Sequence, residues 1–504
     1  MITHVLRSRL AAACILAALS GCALDPGVPD PVLDLPVAFR ATPASAEAAW
    51  PRADWWQGFG SAELDRLIAE GRARNLDIAA AIARVQQADA QIRVDTGPLL
   101  PELDVEGSAS RTERRSGSDS DSDFDFDDGG SSGFSGGSSS NDSESYDATL
   151  SASYEIDFWG RNLAARRAAQ ADAIATRFDQ ANVAIGVDAS IATTYFAILV
   201  AEQRVAIARD NLRASEEVLA AIRGRRAAGL ATALDEAQQV SQVANVRVTI
   251  PPLEQTLEQN TNALAILLGM PPERLTIAGG DPTELGLPVV HGGLPSELLA
   301  RRPDIAQAEA QLQASRFDVQ SAKGALFPTI QLTSSAGFQS DALRSLFDPA
   351  GQFLRIAAGL TQPLIGQYEL QGQLAVQRAV YQEALQTYYL AVISAFQDVD
   401  DALVAVQKTA EREDLQRQAV DAAARAYAIS RARLAEGIID IQTLLDTEQT
   451  LFEARDALAQ ARLERLQAIV DLYQALGGGW QEPQPPLAAP NDSLRAAVQA
   501  EERP

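Results

Sequence analysis

The sequence predicts an α+β membrane protein made of two repeats, each joining a pair of membrane-crossing strands to a long helical hairpin. Three observations carry that expectation. Ile191, Ile198, Val205, Leu212 and Leu219 recur every seven residues, with Thr194, Ala201, Ala208 and Ser215 three places on, which is the narrow seam of a coiled coil. The beat returns 208 residues later in Val399, Val406, Val420 and Tyr427. Ahead of each seam, runs of about ten residues alternate apolar with polar side chains, the length and period of a tilted strand with lipid on one face and water on the other.

Residues 1–21 place Arg7 and Arg9 ahead of a short apolar run, the pattern of a secretory signal and too short for a stable transmembrane anchor. They end in Leu19-Ser20-Gly21-Cys22, which resembles a bacterial lipobox, so Cys22 is the expected lipidated first residue of the mature chain. Ala23 follows, without the aspartate that retains many such lipoproteins at the inner membrane, and the expected address is the outer membrane, facing the periplasm. Losing Arg7 and Arg9 takes the formal charge from −25 to −27, which argues against a nucleic-acid partner. Losing Cys14 and His4 leaves Cys22 and His291 as the only cysteine and histidine. Neither a thiolate metal cluster nor His-dependent catalysis can be built from them, and no cofactor or metal site is expected.

Residues 22–51, rich in proline and alanine, read as an extended tether. The first repeat, 52–269, opens on Trp55, Trp56 and Phe59 and continues as a helix over 61–96, with Leu64, Leu67 and Ile68 near its start. The second repeat, 295–480, starts with the counterpart helix over 295–323. Asp77-Ile78 matches Asp304-Ile305 and Pro101 matches Pro328, both 227 residues apart. After each proline the period falls to two. Strands are expected over 101–112 and 147–158 in the first repeat and over 328–340 and 353–364 in the second. Four strands cannot close, and an open edge in lipid is costly, so several chains must pool their strands.

Between the first two strands lies a Ser/Gly/Asp tract, 116–147, with nine acids and too little apolar matter to fold. It reads as a solvated loop outside the cell. Asp-x-Asp spacings supply oxygen ligands, but the glycine-anchored loop and terminal glutamate of an EF-hand are missing. Each strand pair then leads into a proline-free stretch, 161–223 and 367–434, that as helix reaches roughly 95 to 100 Å. Gly229 and Gly437 supply the turns, and the return helices end at Gly269 and Gly477. Residues 270–294 read as a Pro/Gly-rich linker and 481–504 as a disordered tail. The polar residues recur along rods and strands instead of converging, and there is no phosphate loop or proton relay, so an enzyme ranks last among the function classes.

Trp55-Trp56, Asp157-Phe158-Trp159-Gly160-Arg161, Ala228-Gly229-Leu230, Arg301-Arg302-Pro303-Asp304-Ile305 and Leu476-Gly477-Gly478-Gly479-Trp480 together resemble the TolC-type outer-membrane efflux factors. The likeness is to the lipoprotein branch that partners resistance-nodulation-division pumps, and it covers about residues 50–480. The resemblance implies a homotrimer with a twelve-stranded barrel in the outer membrane and a periplasmic tunnel of helices. It implies a periplasmic adaptor docking at the hairpin tips, where Arg225 with Gly229 and Arg433 with Gly437 match an Arg-x-x-x-Gly pattern. It also implies a pore gate of aspartates, matched by Asp235 and Asp446. Leu434 and Ile439 stand where some members carry a tyrosine and an arginine that latch the mouth, so that latch is not expected here. In such a barrel Glu102, Asp104, Glu106, Glu155 and Asp157 are expected to face the water. The function this implies is a passive exit duct for drugs or other small molecules, fed by an adaptor and an inner-membrane pump. The rivals are the same duct serving type I protein secretion or heavy-metal export, and a non-conducting trimeric stalk.

Overall fold

The computed structural model describes residues 27–29, 31, 50–113, 142–288 and 295–481. The signal, Cys22, most of the tether, the centre of the acidic loop, His291 and the tail beyond Gln481 lie outside the described residues.

Helix α1 (Ala62–Arg74) begins where the Ser61 hydroxyl accepts from the Leu64 amide at 3.2 Å. The single helix expected over 61–96 is broken at Asn75. Its Oδ1 accepts from the amides of Asp77 and Ile78 at 2.8 and 3.0 Å, opening α2 (Leu76–Thr96), while its Nδ2 donates to the Leu267 carbonyl at 2.8 Å. Asparagine breaks the helix here by offering the backbone local partners. Strands β1 (Glu102–Glu113) and β2 (Asp142–Ile156) follow. β2 starts ahead of the expected residue 147 because cross-strand pairs extend it: Ser108 donates to Asp147 at 3.2 Å and Arg111 lies 3.6 Å from Glu144. It ends at Ile156, short of the expected 158. Just beyond, the Trp159 ring stacks on Phe327 with centroids 4.6 Å apart, and its indole donates to the Pro328 carbonyl at 2.8 Å.

Helices α3 (Arg161–Ala227) and α4 (Ala233–Leu267) make the first hairpin, α4 running through Pro251 and Pro252. The counterpart of the 61–96 helix is also divided, into α5 (Pro295–Leu298) and α6 (Pro303–Gly324), because Pro303 suits a first turn and not a helix interior. Strands β3 (Thr329–Ser340) and β4 (Gln352–Thr361) come next. β4 ends at Thr361, short of the expected 364 and two residues before Pro363, which has no N–H for the ladder. Helices α7 (Gln367–Ala435) and α8 (Ile441–Ala475) form the second hairpin.

The chain divides into two compact units, the boundaries falling inside α2, α3, α6 and α7. The first holds an antiparallel sheet in the order β1-β2-β3-β4. Its register keeps the alternation of every strand in phase. Leu103 faces Ala152, Ala152 faces Ser334 and Ser334 faces Ile356, while Val105, Leu150, Ala336 and Leu354 make the next row on that side. Since a slip of one residue would exchange the faces, the phase match gives the whole sheet one apolar and one polar side.

The second unit holds the rest of α3 and α7 together with α4 and α8. Its core joins Trp55, Phe59, Leu64, Phe196, Leu199, Leu264 and Tyr473, with Trp55 stacked on Tyr473 at 4.9 Å. Of the first seam, Ile191, Ile198, Val205, Ala208 and Ser215 are buried. The described part of the linker, 270–288, is a packed strap: Met270, Leu275, Ile277 and Leu285 lie on the core. Buried Arg462 holds it, donating to the carbonyls of Pro282 and Leu285 at 3.2 and 2.9 Å. The two hairpins end alike. A Cβ on Gly269 would lie 2.3 Å from the Arg74 carbonyl oxygen, and one on Gly477 would lie 2.0 Å from that of Arg301. These pairs are offset by 208 and 227 residues, the separations read in the sequence.

Candidate functional site

Two surfaces hold the residues that the sequence singles out. The first is the polar face of the sheet. Glu102 faces Ser153, Ser153 faces Thr333 and Thr333 faces Ala357; Asp104, Ser151, Ser335 and Arg355 form the next row. Glu106 follows opposite Thr149, so Glu102, Asp104 and Glu106 share one side and are exposed. Glu155 shares that side opposite Gln331, but its carboxylate accepts from Arg161 at 2.8 and 2.9 Å. Asp157 departs from expectation. It lies past the end of β2, and its Oδ2 accepts from the Leu163 amide at 2.7 Å, satisfying one of the orphan donors of the first turn of α3. The five expected lining carboxylates thus become three open ones, one held by arginine and one helix cap.

The second surface is the pair of hairpin tips. Gly229 and Gly437 have φ of 76° and 72°. The Leu230 and Gly229 amides donate to the carbonyls of Arg225 and Arg226 at 2.8 and 2.9 Å, and those of Ile438 and Gly437 to Arg433 and Leu434 at 2.9 and 3.0 Å. Both tips are therefore the same glycine-terminated cap. Arg225 is only partly exposed, because its Nη1 donates to the Leu434 carbonyl of the other hairpin at 2.9 Å. The Arg433 side chain is exposed and makes no hydrogen bond or ion pair among the described residues.

The two candidate gate carboxylates differ in their commitments. Asp235 closes a capping box with Thr232, accepting its amide at 2.7 Å while the Thr232 hydroxyl accepts the Asp235 amide at 3.2 Å. Asp446 lies further into its helix and is exposed, and among the described residues its carboxylate accepts only from the Gln442 side chain at 2.8 Å. The structure brings Arg225 to Leu434 but sets Asp235 and Asp446 on separate helices at different depths. Around them, hydrogen bonds from Arg226 and Arg223 hold the Glu236 carboxyl below its usual range. The Thr443 hydroxyl and amide do the same for Asp440, the cap of α8.

About two turns into α8 lies a buried polar layer that the sequence reading missed. The Ser215 hydroxyl donates to Glu448 Oε1, and the Ser215 carbonyl accepts from Gln239 Nε2 at 2.9 Å. Glu448 Oε2 and Gln239 Oε1 are buried without a partner among the described residues. Burial pushes the Glu448 carboxyl up, with the Ser215 bond opposing. A signal existed: Ile441, Leu444, Leu445, Glu448 and Leu451 form one apolar helical stripe interrupted by a single acid.

A family model described as "Outer membrane efflux protein" matches residues 67–270 and 294–478. The chain belongs to the outer membrane efflux protein family. It is 39% identical over 479 residues to the pyoverdine export outer membrane protein OpmQ of Pseudomonas aeruginosa, covering 95% of this chain and 98% of that one. It is 28% identical to the cation efflux system protein CusC of Escherichia coli, covering 93% and 98%. The solved outer-membrane channel OprN superposes with a TM-score of 0.80 at 26% identity, covering 92% of this chain and all of the other. The protein is thus a TolC-type outer-membrane efflux channel, an exit duct, and its family is one of channels and not of enzymes.

Proposed function

We propose that three copies form one conducting duct. Twelve pooled strands close a barrel in the outer membrane, and the hairpins, read as an internal two-fold repeat, build a periplasmic helical tunnel. That tunnel takes small molecules from an inner-membrane pump through a periplasmic adaptor. The sheet carries this reading. One side exposes Val105 and Ile356, at 86% and 76%, and the other exposes three carboxylates, which suits lipid outside and water within. β1 and β4 each have one neighbour among the described residues, and unpaired backbone groups in lipid cost several kcal/mol each. Pairing β4 of one copy with β1 of the next removes both edges.

The hairpins support the same closure. Exposed large apolar side chains lie on α4 (Val240, Val248, Ile266) and on α7 (Leu390, Ile393, Val404, Leu415, Ile429), whereas α8 exposes none. Within the chain α3 meets α8, Arg204 binding Asp456 at 2.7 and 3.1 Å. A head-to-tail ring would set α7 of one copy against α4 of the next, cover the exposed side chains and repeat that relation. In this reading Asp446 supplies the like-charged ring at the mouth, with Asp235 mainly a helix cap, and Cys22 carries the lipid. The relative named for pyoverdine export supports a small-molecule cargo over a secreted protein.

The test is native mass spectrometry and planar-bilayer recording of the lipidated protein purified from native membranes. A trimer carrying the lipid mass and passing discrete current steps is the expected result. A trimer without conductance supports the structural stalk, and a monomer without conductance removes the reading. Co-purified partners then separate a resistance-nodulation-division pump from a type I secretion or heavy-metal exporter.

A further inference from the structure

We infer that Arg433 ties neighbouring copies together at the hairpin tips, its guanidinium donating to the main-chain carbonyl of Arg226 of the partner subunit. Every tip in the ring is then held by the same arginine–carbonyl bond, alternately within a chain and between chains. This rests on the trimeric reading above. Arg225 lies four residues before Gly229 and Arg433 four before Gly437, and the two tips close with the same pair of backbone bonds. Arg225 and Arg433 are 208 residues apart, and so are Arg226 and Leu434. Exchanging the hairpins therefore turns the observed bond, Arg225 Nη1 to the Leu434 carbonyl at 2.9 Å, into a bond from Arg433 to the Arg226 carbonyl. Within the chain that bond is not made. Within the chain the first hairpin meets the second where α3 reaches α8 and the end of α7 and where Gln242 of α4 donates to Gln449 of α8 at 3.4 Å, while large apolar side chains stay exposed along α4 and α7.

Donor and acceptor are both available. The Leu434 carbonyl accepts twice, from the Gly437 amide and from Arg225. The Arg226 carbonyl accepts only from the Gly229 amide among the described residues, leaving a lone pair. Arg226's own guanidinium is taken up by Glu236, which also accepts from Arg223 at 3.0 Å, so the incoming cation meets a neutralised neighbour. A guanidinium at the carbonyl end of a helix also complements the helix dipole, and a bond from a charged donor exceeds a neutral one in strength.

Cross-linking of the full-length trimer tests the contact. Cys14 leaves with the signal and Cys22 is the lipid site, so the double variant Arg433→Cys with Arg226→Cys carries the only free thiols. Treated with a short bismaleimide, it should give covalent dimers and trimers on a denaturing gel. Arg225→Cys with Leu434→Cys should cross-link within the chain and give none. In bilayers Arg433→Gln should shift the mouth toward its open level on the order of tenfold, and Arg433→Lys by less. No covalent oligomer from a trimer that native mass spectrometry shows intact overturns the inference. So does an Arg433→Gln protein with unchanged conductance that loses only its adaptor, which assigns the arginine to docking. Absence of any trimer instead removes the reading on which the inference stands.

Discussion

Glu448 is the side chain whose setting does most to distinguish this helical bundle from an apolar one. Its carboxyl is pushed up by burial, with one oxygen bonded to Ser215 and the other without a partner among the described residues. A raised folded-state pKa means that the group's stabilisation is complete below its unfolded pKa and is lost as pH rises through the folded one. Thermal unfolding of the detergent-solubilised protein should therefore weaken as pH rises through that window, and Glu448→Gln should flatten the loss. Ser215→Ala should cost about 1–3 kcal/mol where the carboxylate is ionised and less in acid, because it strips the last bond from a buried charge. Equal destabilisation by Ser215→Ala at both pH values would show that the bond to Glu448 carries none of the effect.

At the scale of elements, the hairpin turns isolate backbone conformation from contact. Gly229 and Gly437 are left-handed, and an added Cβ meets nothing within 4 Å. Alanine at either should cost about 1–2 kcal/mol from the backbone alone, read as a lowered unfolding midpoint with the oligomeric state unchanged. The strap between the hairpins offers a second case. Arg462 is buried, bonds the Pro282 and Leu285 carbonyls and lies 3.4 Å from Glu413, which without it still keeps Arg417 and Arg465 at 3.0 and 2.9 Å. Arg462→Ala should thus cost about 2 kcal/mol by orphaning carbonyls, with faster hydrogen exchange confined to the strap. Exchange rising equally through α8 would mean that the arginine holds the helix and not the strap.

For the whole molecule, the proposed trimer turns the sheet's polar side into the wall of the duct, and that side would then set what passes. Glu102, Asp104 and Glu106 are exposed on that side while Glu155 is held by Arg161, so in the proposed barrel three open carboxylates per chain would make the wall acidic. Rings of carboxylate favour cations in a pore. Replacing the three by Gln, Asn and Gln should move the reversal potential in a potassium chloride gradient toward zero without changing the oligomer. An unmoved potential would place the selective region elsewhere, with Asp446, proposed at the mouth, the next position to neutralise.

Periodicity and address are local properties, and the amino-acid order alone determined them. Two-residue alternation marked the four strands, seven-residue spacing marked the packed face of α3, and glycine marked both turns, because each follows from backbone geometry within a few residues. Strand ends were less legible: Asp142 and Glu144 joined β2 through partners on β1, and Asp157 left the strand to cap α3. Only the tertiary structure decided that Arg225 is spent on the other hairpin while Arg433 is not, and that Glu448 is buried against Ser215. Those contacts join residues more than two hundred positions apart, and a main-chain carbonyl acceptor looks the same in every residue type, so no sequence pattern can mark it.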